Sequence, residues 1–534
     1  MRRAAILFAL AIVPDVAGAR QTVEASDPEA LAVTVYRDPG RDADEEMDRD
    51  WPKGFAMVSE TRTVTLPPGE STVRFEGVAE GMVAVSAIVT GLPGGTIEKN
   101  RNAELLSPGA LVNGMLGNRV TITRTNPATG RARSEQAIVR TRADGGLVLQ
   151  TGEGFEAVRC AGLPETLTFD RVPTGLSAQP VFSIDTRDAS GGTYRVVLTY
   201  LAWGFDWQAN YVATLGQGDG QGGVDLALTS WLTLLNDNGQ SFPDAELMAV
   251  AGTLNVESDF EALAAPPQAE RLRLTCYPLG STASGSPIRY RARQAYAPGP
   301  PPPPPPAPMM ARMDDAAIEV TAAKRAEVAP VMAGEEELGD LKLYRVPEPI
   351  TVAAKGLKQV AFLRKERIDG RLVYEIGCPP GQSAEGFRPA ARMLETVNDE
   401  EHGLGVALPS GGVAIFEPSS YGPLLVGEEN LRDHAEGQDV EIALGTSPQV
   451  QAACRRTSKH DPDEKPRKWN RMEAEITNAL PTPVTVRIAL GWSAYWDVRG
   501  RGTGSVRDGM REIETTIPAN SDRKIRWRVR SSDQ

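Results

Sequence analysis

Apolar and polar residues alternate with period two along most of this chain. In TRTVTLPPGESTVRFEG (61–77), Val73 and Phe75 fall on one face, and Thr72, Arg74 and Glu76 on the other. That alternation predicts half-buried strands, with Pro67-Pro68-Gly69 as the turn between two of them. LAVTVYR (31–37) reads the same way. Residues 196–202 alternate as well, but both faces are apolar, which predicts a central strand. Leu226–Leu235 and Ala245–Val250 follow, with Asn238-Gly239 as a turn. Strands resume after 341 and continue to KIRWRVR (524–530), where Ile525, Trp527 and Val529 share one face and three arginines the other. A charged face of that kind suits an edge or surface strand. The pattern is weakest over 386–400 and 425–436, where short helices are expected.

The pattern divides the chain. Residues 26–100 read as an N-terminal β-hairpin domain, and 107–165 as a small SH3- or Sm-like barrel of five short strands. Hairpin turns are expected there at 127–130 and 144–146. A larger C-terminal β-sandwich-like region occupies 166–290 and 341–534. It is interrupted at 291–340 by a Pro/Ala/Met-rich insertion containing PGPPPPPPPAP, a stiff polyproline spacer. The expectation is therefore an all-β, multi-domain protein. With 52 Gly and 41 Pro, a helical bundle is disfavoured.

The first residues predict export. Arg2 and Arg3 precede an apolar run, Ala4–Val13, and Ala17-Gly18-Ala19 offers small residues to a signal peptidase, with cleavage after Ala19. No later apolar stretch is long enough to span a bilayer as a helix. After export the compartment permits disulfides. Cys160, Cys276, Cys378 and Cys454 are the candidates, with three pairings possible and free thiols as the alternative. The 57 Lys and Arg against 70 Asp and Glu give a formal net charge of −13, so nucleic acid is not an expected partner.

Catalytic motifs are missing from the sequence. It holds no G-x-S-x-G, no H-E-x-x-H and no Walker loop, and His402, His434 and His460 are dispersed. The G-x-G-x-x-G match at 218–223 lies between strand patterns and reads as a hairpin loop, so no cofactor is expected. Asp42–Asp50 reads as a solvated acidic loop rather than a calcium site. Asp206 and Asp497 sit among aromatics that include Trp203, Trp207, Trp492 and Trp496. Carboxylates flanked by aromatics suit a sugar platform or the wide core of a sandwich. These six residues are read as core first and as ligand contacts second. Tryptophans four apart within one strand would share a face. Met309, Met310 and Met313, with Met332, could bind Cu(I) through thioethers; adaptable linker residues are the alternative reading.

Several segments together resemble one family. VTVYRD (33–38) and TRTVTLPPGESTVRFEGV (61–78) resemble the N-terminal pattern of exported bacterial proteins of the mucoidy-inhibitor-like type. YLAWGFDWQANY (200–211), NDNGQSFPDAEL (236–247), LYRVPEPITVAAKGLKQVAFL (343–363) and LPSGGVAIFE (408–417) follow in the same order. Many such proteins carry a long coiled coil where this chain has its small barrel-like unit. The family is a domain of unknown function and supplies no catalytic residues. The resemblance implies a β-rich envelope protein of the periplasm or cell surface. A non-enzymatic binding or structural module is expected, with an envelope protein or a glycan as partner. Carbohydrate binding or turnover and copper handling are the alternatives.

Overall fold

The computed structural model describes residues 20–264 and 332–532, apart from 43–44, 103–104, 127, 143–146, 159–164, 174–175, 221, 253, 382–385 and 459–467. It is all-β, with several sheets and only two short helices among the described residues. Two compact units emerge. Among the described residues, the first combines 20–102, 177–264 and 332–532, and the second lies within 105–176.

The first unit starts with six strands: β1 (Gln21–Glu24), β2 (Ala30–Tyr36), β3 (Phe55–Leu66), β4 (Gly69–Glu76), β5 (Met82–Thr90) and β6 (Glu98–Asn102). The second unit then forms α1 (Pro108–Gly114), β7 (Arg119–Thr125), β8 (Ala132–Val139), β9 (Val148–Thr151), β10 (Gly154–Ala157) and β11 (Glu165–Thr168). Its five strands run in the order β10-β9-β8-β7-β11, so the last strand returns to the first. Val120, Ile122, Val139 and Leu149 alternate inward and close its core under Val112 and Met115. The Ser107 side chain caps α1 by accepting from the Ala110 N–H.

The chain then returns to the first unit through β12 (Val181–Asp188), β13 (Gly192–Trp203), β14 (Phe205–Gly218), β15 (Gly223–Asn236) and β16 (Phe242–Ala251), followed by α2 (Phe260–Ala264). β12 pairs with β4 and β6, β13 with β3 and β5, and β16 with β2. These partners lie from about 80 residues (β6 with β12) to more than 200 residues (β2 with β16) along the chain. Val73 and Phe75 from one sheet share a core with Val64, Leu66, Val196 and Leu198 from the other, as a sandwich requires. β14 and β15 pair antiparallel from Phe205↔Asn236 to Gly218↔Val224, so the glycine-rich match lies between two paired strands, as the sequence predicts.

After β17 (Gly334–Leu338), β18 (Leu341–Arg345) and β19 (Ile350–Val352), a long sheet is built. Its strands are β20 (Gly356–Gly377), β21 (Arg388–Val397), β22 (Gly411–Ser419), β23 (Gly422–Leu431), β24 (Asp439–Arg456), β25 (Asn470–Asn478), β26 (Val484–Trp492), β27 (Trp496–Gly500), β28 (Ser505–Arg507), β29 (Met510–Ile517) and β30 (Ser521–Ser531). Its main path is β23-β22-β14-β15-β20-β21-β24-β25-β30-β27, with β26 branching from β20. A second core of Ile376, Val450, Ile476, Val486, Ile488, Trp527 and Val529 lies under its C-terminal part.

One sequence expectation is corrected and another is narrowed. Segments 386–400 and 425–436 hold strands β21 and β23, not helices, because each pairs with a neighbouring strand that supplies its hydrogen bonds. KIRWRVR is the surface strand of the two alternatives and not an edge: Arg526 and Arg528 are exposed while Trp527 and Val529 are buried, and β30 is paired on both sides, by β25 and β27. Its arginines instead meet carboxylates across the sheet, Arg526 on Glu473 and Arg530 on Asp497.

Candidate functional site

Gly204 decides the fate of the first aromatic group. Its φ of +87° turns the chain out of β13 and into β14. Trp203 and Trp207 therefore belong to different sheets and different hydrophobic clusters, not to one strand face. Both are buried, and Trp207 donates its indole N–H to the Val250 carbonyl at 3.1 Å. Asp206 lies between them, 1% exposed. It accepts from Arg41 at 3.0 Å and from the N–H groups of Asp38 and Trp207 at 3.1 and 2.8 Å. Arg41 also donates to the Trp207 carbonyl. Burial raises the Asp206 carboxyl to about 6, against the pull of Arg41. Every contact of Asp206 is internal, so it fastens the acidic loop to β14. The loop is also less solvated than the sequence suggests: Met47 within it is buried, and its N–H bonds to Gln208.

The second aromatic group lies elsewhere, around the turn from β26 to β27. Trp492 ends one strand and Trp496 begins the next, so here too the spacing of four does not mark one face. The turn is held by main-chain bonds: Ser493 N–H to the Gly509 carbonyl at 2.7 Å, Tyr495 N–H to Trp492 at 3.0 Å, and Ser532 N–H to Tyr495 at 2.8 Å. Two glycines seat the indoles. A Cβ at Gly491 would come within 2.8 Å of the Trp496 ring, and one at Gly509 within 3.2 Å of Trp492; both residues have positive φ. The core reading fails at this turn. Trp492 is 53% and Tyr495 65% exposed, while Trp496 is half-buried.

Beside this pair, Asp497 Oδ2 accepts from Nε of Arg530 at 2.9 Å and lies 2.9 Å from its Nη2. Arg530 also lies 4.8 Å from the Trp469 ring centroid, and Arg499 lies 4.5 Å from the same ring. Two exposed aromatic side chains, a half-buried indole and a guanidinium–carboxylate fork thus share one end of the sheet. Such a surface can stack on a flat apolar face and hydrogen-bond its rim. Asp206 belongs with the first core and Asp497 with the second, so the two candidate carboxylates are not brought together.

A buried ion network, which the sequence reading missed, ties β20, β21 and β24 to β26 and β29. Arg487, 4% exposed, pairs with Glu395 and lies 3.4 Å from Glu512 and 3.6 Å from Glu514. Arg371 reaches Glu395 at 2.8 Å and Glu514 at 2.9 Å, and Arg507 holds Glu441. Burial pushes the Glu395 carboxyl up, but the three arginines outweigh it and hold the group below the usual range. Glu441 is raised by burial and by Glu395. The strand register could have hinted at this network, since Glu395 faces Arg371 on one side and Glu441 on the other.

The remaining candidates are dispersed. Cys378 and Cys454 form a disulfide. Cys160, Cys276, His460, Met309, Met310, Met313, the Ala19 cleavage site and the proline tract lie outside the described residues. His402 bonds Asp399, and His434 is buried against the Arg432 carbonyl. Met332 bridges Ala361. Among the described residues no group of three His, Cys, Asp or Glu is placed to hold a metal, and no helix is long and apolar enough to cross a membrane. No family model matches the chain, and no curated protein matches it.

Proposed function

We propose that this protein is an exported cell-envelope protein that works as a non-enzymatic binding or structural module, with the Trp492–Asp497 turn as its contact surface. One observation carries the reading: Trp492 and Tyr495 stand exposed on a turn fixed by main-chain bonds and glycine seats. Leaving a large apolar side chain in water forgoes roughly 1.5–3 kcal/mol of burial. Fold stability therefore gives no reason for the pair, whereas a rigid aromatic anchor is what a binding surface uses. The export pattern of residues 1–19 and the ordered resemblance to mucoidy-inhibitor-like proteins support the envelope assignment.

The same turn favours a glycan as the second reading. An exposed indole beside a carboxylate and a guanidinium offers stacking for a sugar face and partners for its hydroxyls. The experiment is cross-linking in vivo, followed by recovery of the tagged protein from the envelope fraction and mass spectrometry of proteins and glycans. The Trp492→Ala/Tyr495→Ala double variant is expected to lose the captured partner while its melting curve moves by no more than about 0.5 kcal/mol in stability. A variant that captures the same partner as fully as the parent would sink this placement of the surface.

A further inference from the structure

One seam of the long sheet has no ladder. Strands β23, β22, β14, β15, β20, β21 and β24 follow one another by hydrogen bonding, yet the first and the seventh also come side by side. At one point of contact a Cβ on Gly427 would lie 3.7 Å from the Cα of Leu444. Among the described residues no ladder joins them: β23 pairs only with β22, and Asp439–Ser447 of β24 only with β21. The partner of β24 on its other side, β25, begins its pairing at Val450. Each strand therefore keeps one edge without a ladder here; the two touch at Gly427 and Leu444, and the seam opens only beyond that point, at Glu429–Leu431. An edge of this kind is a template for an added strand.

Between Glu429–Leu431 on one side and Asp439–Ala443 on the other, the seam widens into an open cavity of about 740 Å³. Met393, Leu431 and Ala443 supply its apolar lining. Its charged lining is Glu429, Asp439, Glu441 and Asp508 against Arg432 and Arg507. Arg507 is already engaged by Glu441, with Asp439 at 3.6 Å and Glu395 at 3.4 Å. The cavity thus presents an excess of carboxylate to a guest. Further along β23, Leu424 and Leu425 are 53% and 52% exposed, which suits a protein strand better than a small cation.

We infer that this seam is a strand-addition site that receives a short extended peptide segment carrying Lys or Arg, whose backbone pairs along β23 on the side away from β22 and whose basic side chains meet Glu429 and Asp508. Its Asp508 end adjoins Gly509, on which Trp492 of the aromatic turn is seated, while its Glu429 end lies on β23.

The test uses the full chain and fluorescence anisotropy with labelled Val-Lys-Val-Lys-Val, its Val-Glu-Val-Glu-Val counterpart, and the basic peptide N-methylated at alternate amides. The basic peptide binds; the acidic and methylated peptides do not. Glu429→Lys combined with Asp508→Lys weakens binding about tenfold, one 1.4 kcal/mol step. Both reversed residues are exposed, and circular dichroism checks that the variant folds. Equal binding of the methylated peptide would reduce the contact to charge alone and overturn strand addition. Binding of the acidic peptide, or of none, would overturn the assigned occupant. So would a dimer in sedimentation that the double reversal abolishes, because it would place a second copy in the seam.

Discussion

Asp206 shows what a carboxylate does when aromatic neighbours take it out of water. Its partner Arg41 is itself only 5% exposed, so the two charges depend on one another. Asp206→Ala is expected to destabilise the fold by about 3–5 kcal/mol, because Arg41 is left buried and unpaired. Asp206→Asn keeps the shape and one acceptor and costs less. The pH dependence follows from the folded carboxyl at about 6 against an unfolded value near 3.9. Between these values the folded state binds more protons than the unfolded state. The stability contribution of Asp206 is therefore fully present below about pH 4, falls by roughly 3 kcal/mol as pH rises to about 6, and stays level above. Urea titrations from pH 4 to pH 7 should show that slope in the parent and not in Asp206→Asn. The sequence marks Asp206 as unusual by its aromatic neighbours. It does not reveal Arg41, which is 165 positions away.

At the scale of elements, period-two alternation carried most of the fold. Val73 and Phe75 are both fully buried, as their spacing requires, and Trp527 and Val529 likewise. Where the alternation is diluted, as in RPAARMLETV and GPLLVGEENL, the strand forms because a neighbour completes its hydrogen bonds. Propensity is a weak guide there, since cross-strand partners decide the outcome. The disulfide acts at the same scale. Cys378 follows β20 and Cys454 lies in β24, 76 positions on. By loop-closure entropy a bridge of that span contributes about 4 kcal/mol. Cys378→Ala/Cys454→Ala should lose stability of that order in urea unfolding. The loss should match that of the parent under reductant.

The whole molecule shows how a second unit is accommodated within the chain of the first. Val181 of β12 sits directly across from Asn102 of β6, so the chain leaves the first unit and re-enters it at adjacent positions of one ladder. Replacing 104–176 by a short Gly/Ser linker should therefore leave the first unit folded, with one cooperative thermal transition and native-like circular dichroism. Removing 20–103 instead should abolish folding of the remainder, because β12, β13 and β16 would lose β4, β3 and β2. Soluble, cooperatively melting protein from that truncation would contradict the pairing.

The sequence by itself determined the strand class, the faces that turn inward and the position of several turns, because a period of two and a glycine or proline are local properties of a few residues. Only the tertiary structure decided that 55–66 pairs with 192–203, and that Trp203 and Trp207 part at Gly204 into separate clusters. It also decided that Trp492 faces water and that β23 meets β24 without a ladder. Each of these depends on which distant strand arrives to supply hydrogen bonds and cover a face, and an alternating pattern is compatible with many such partners.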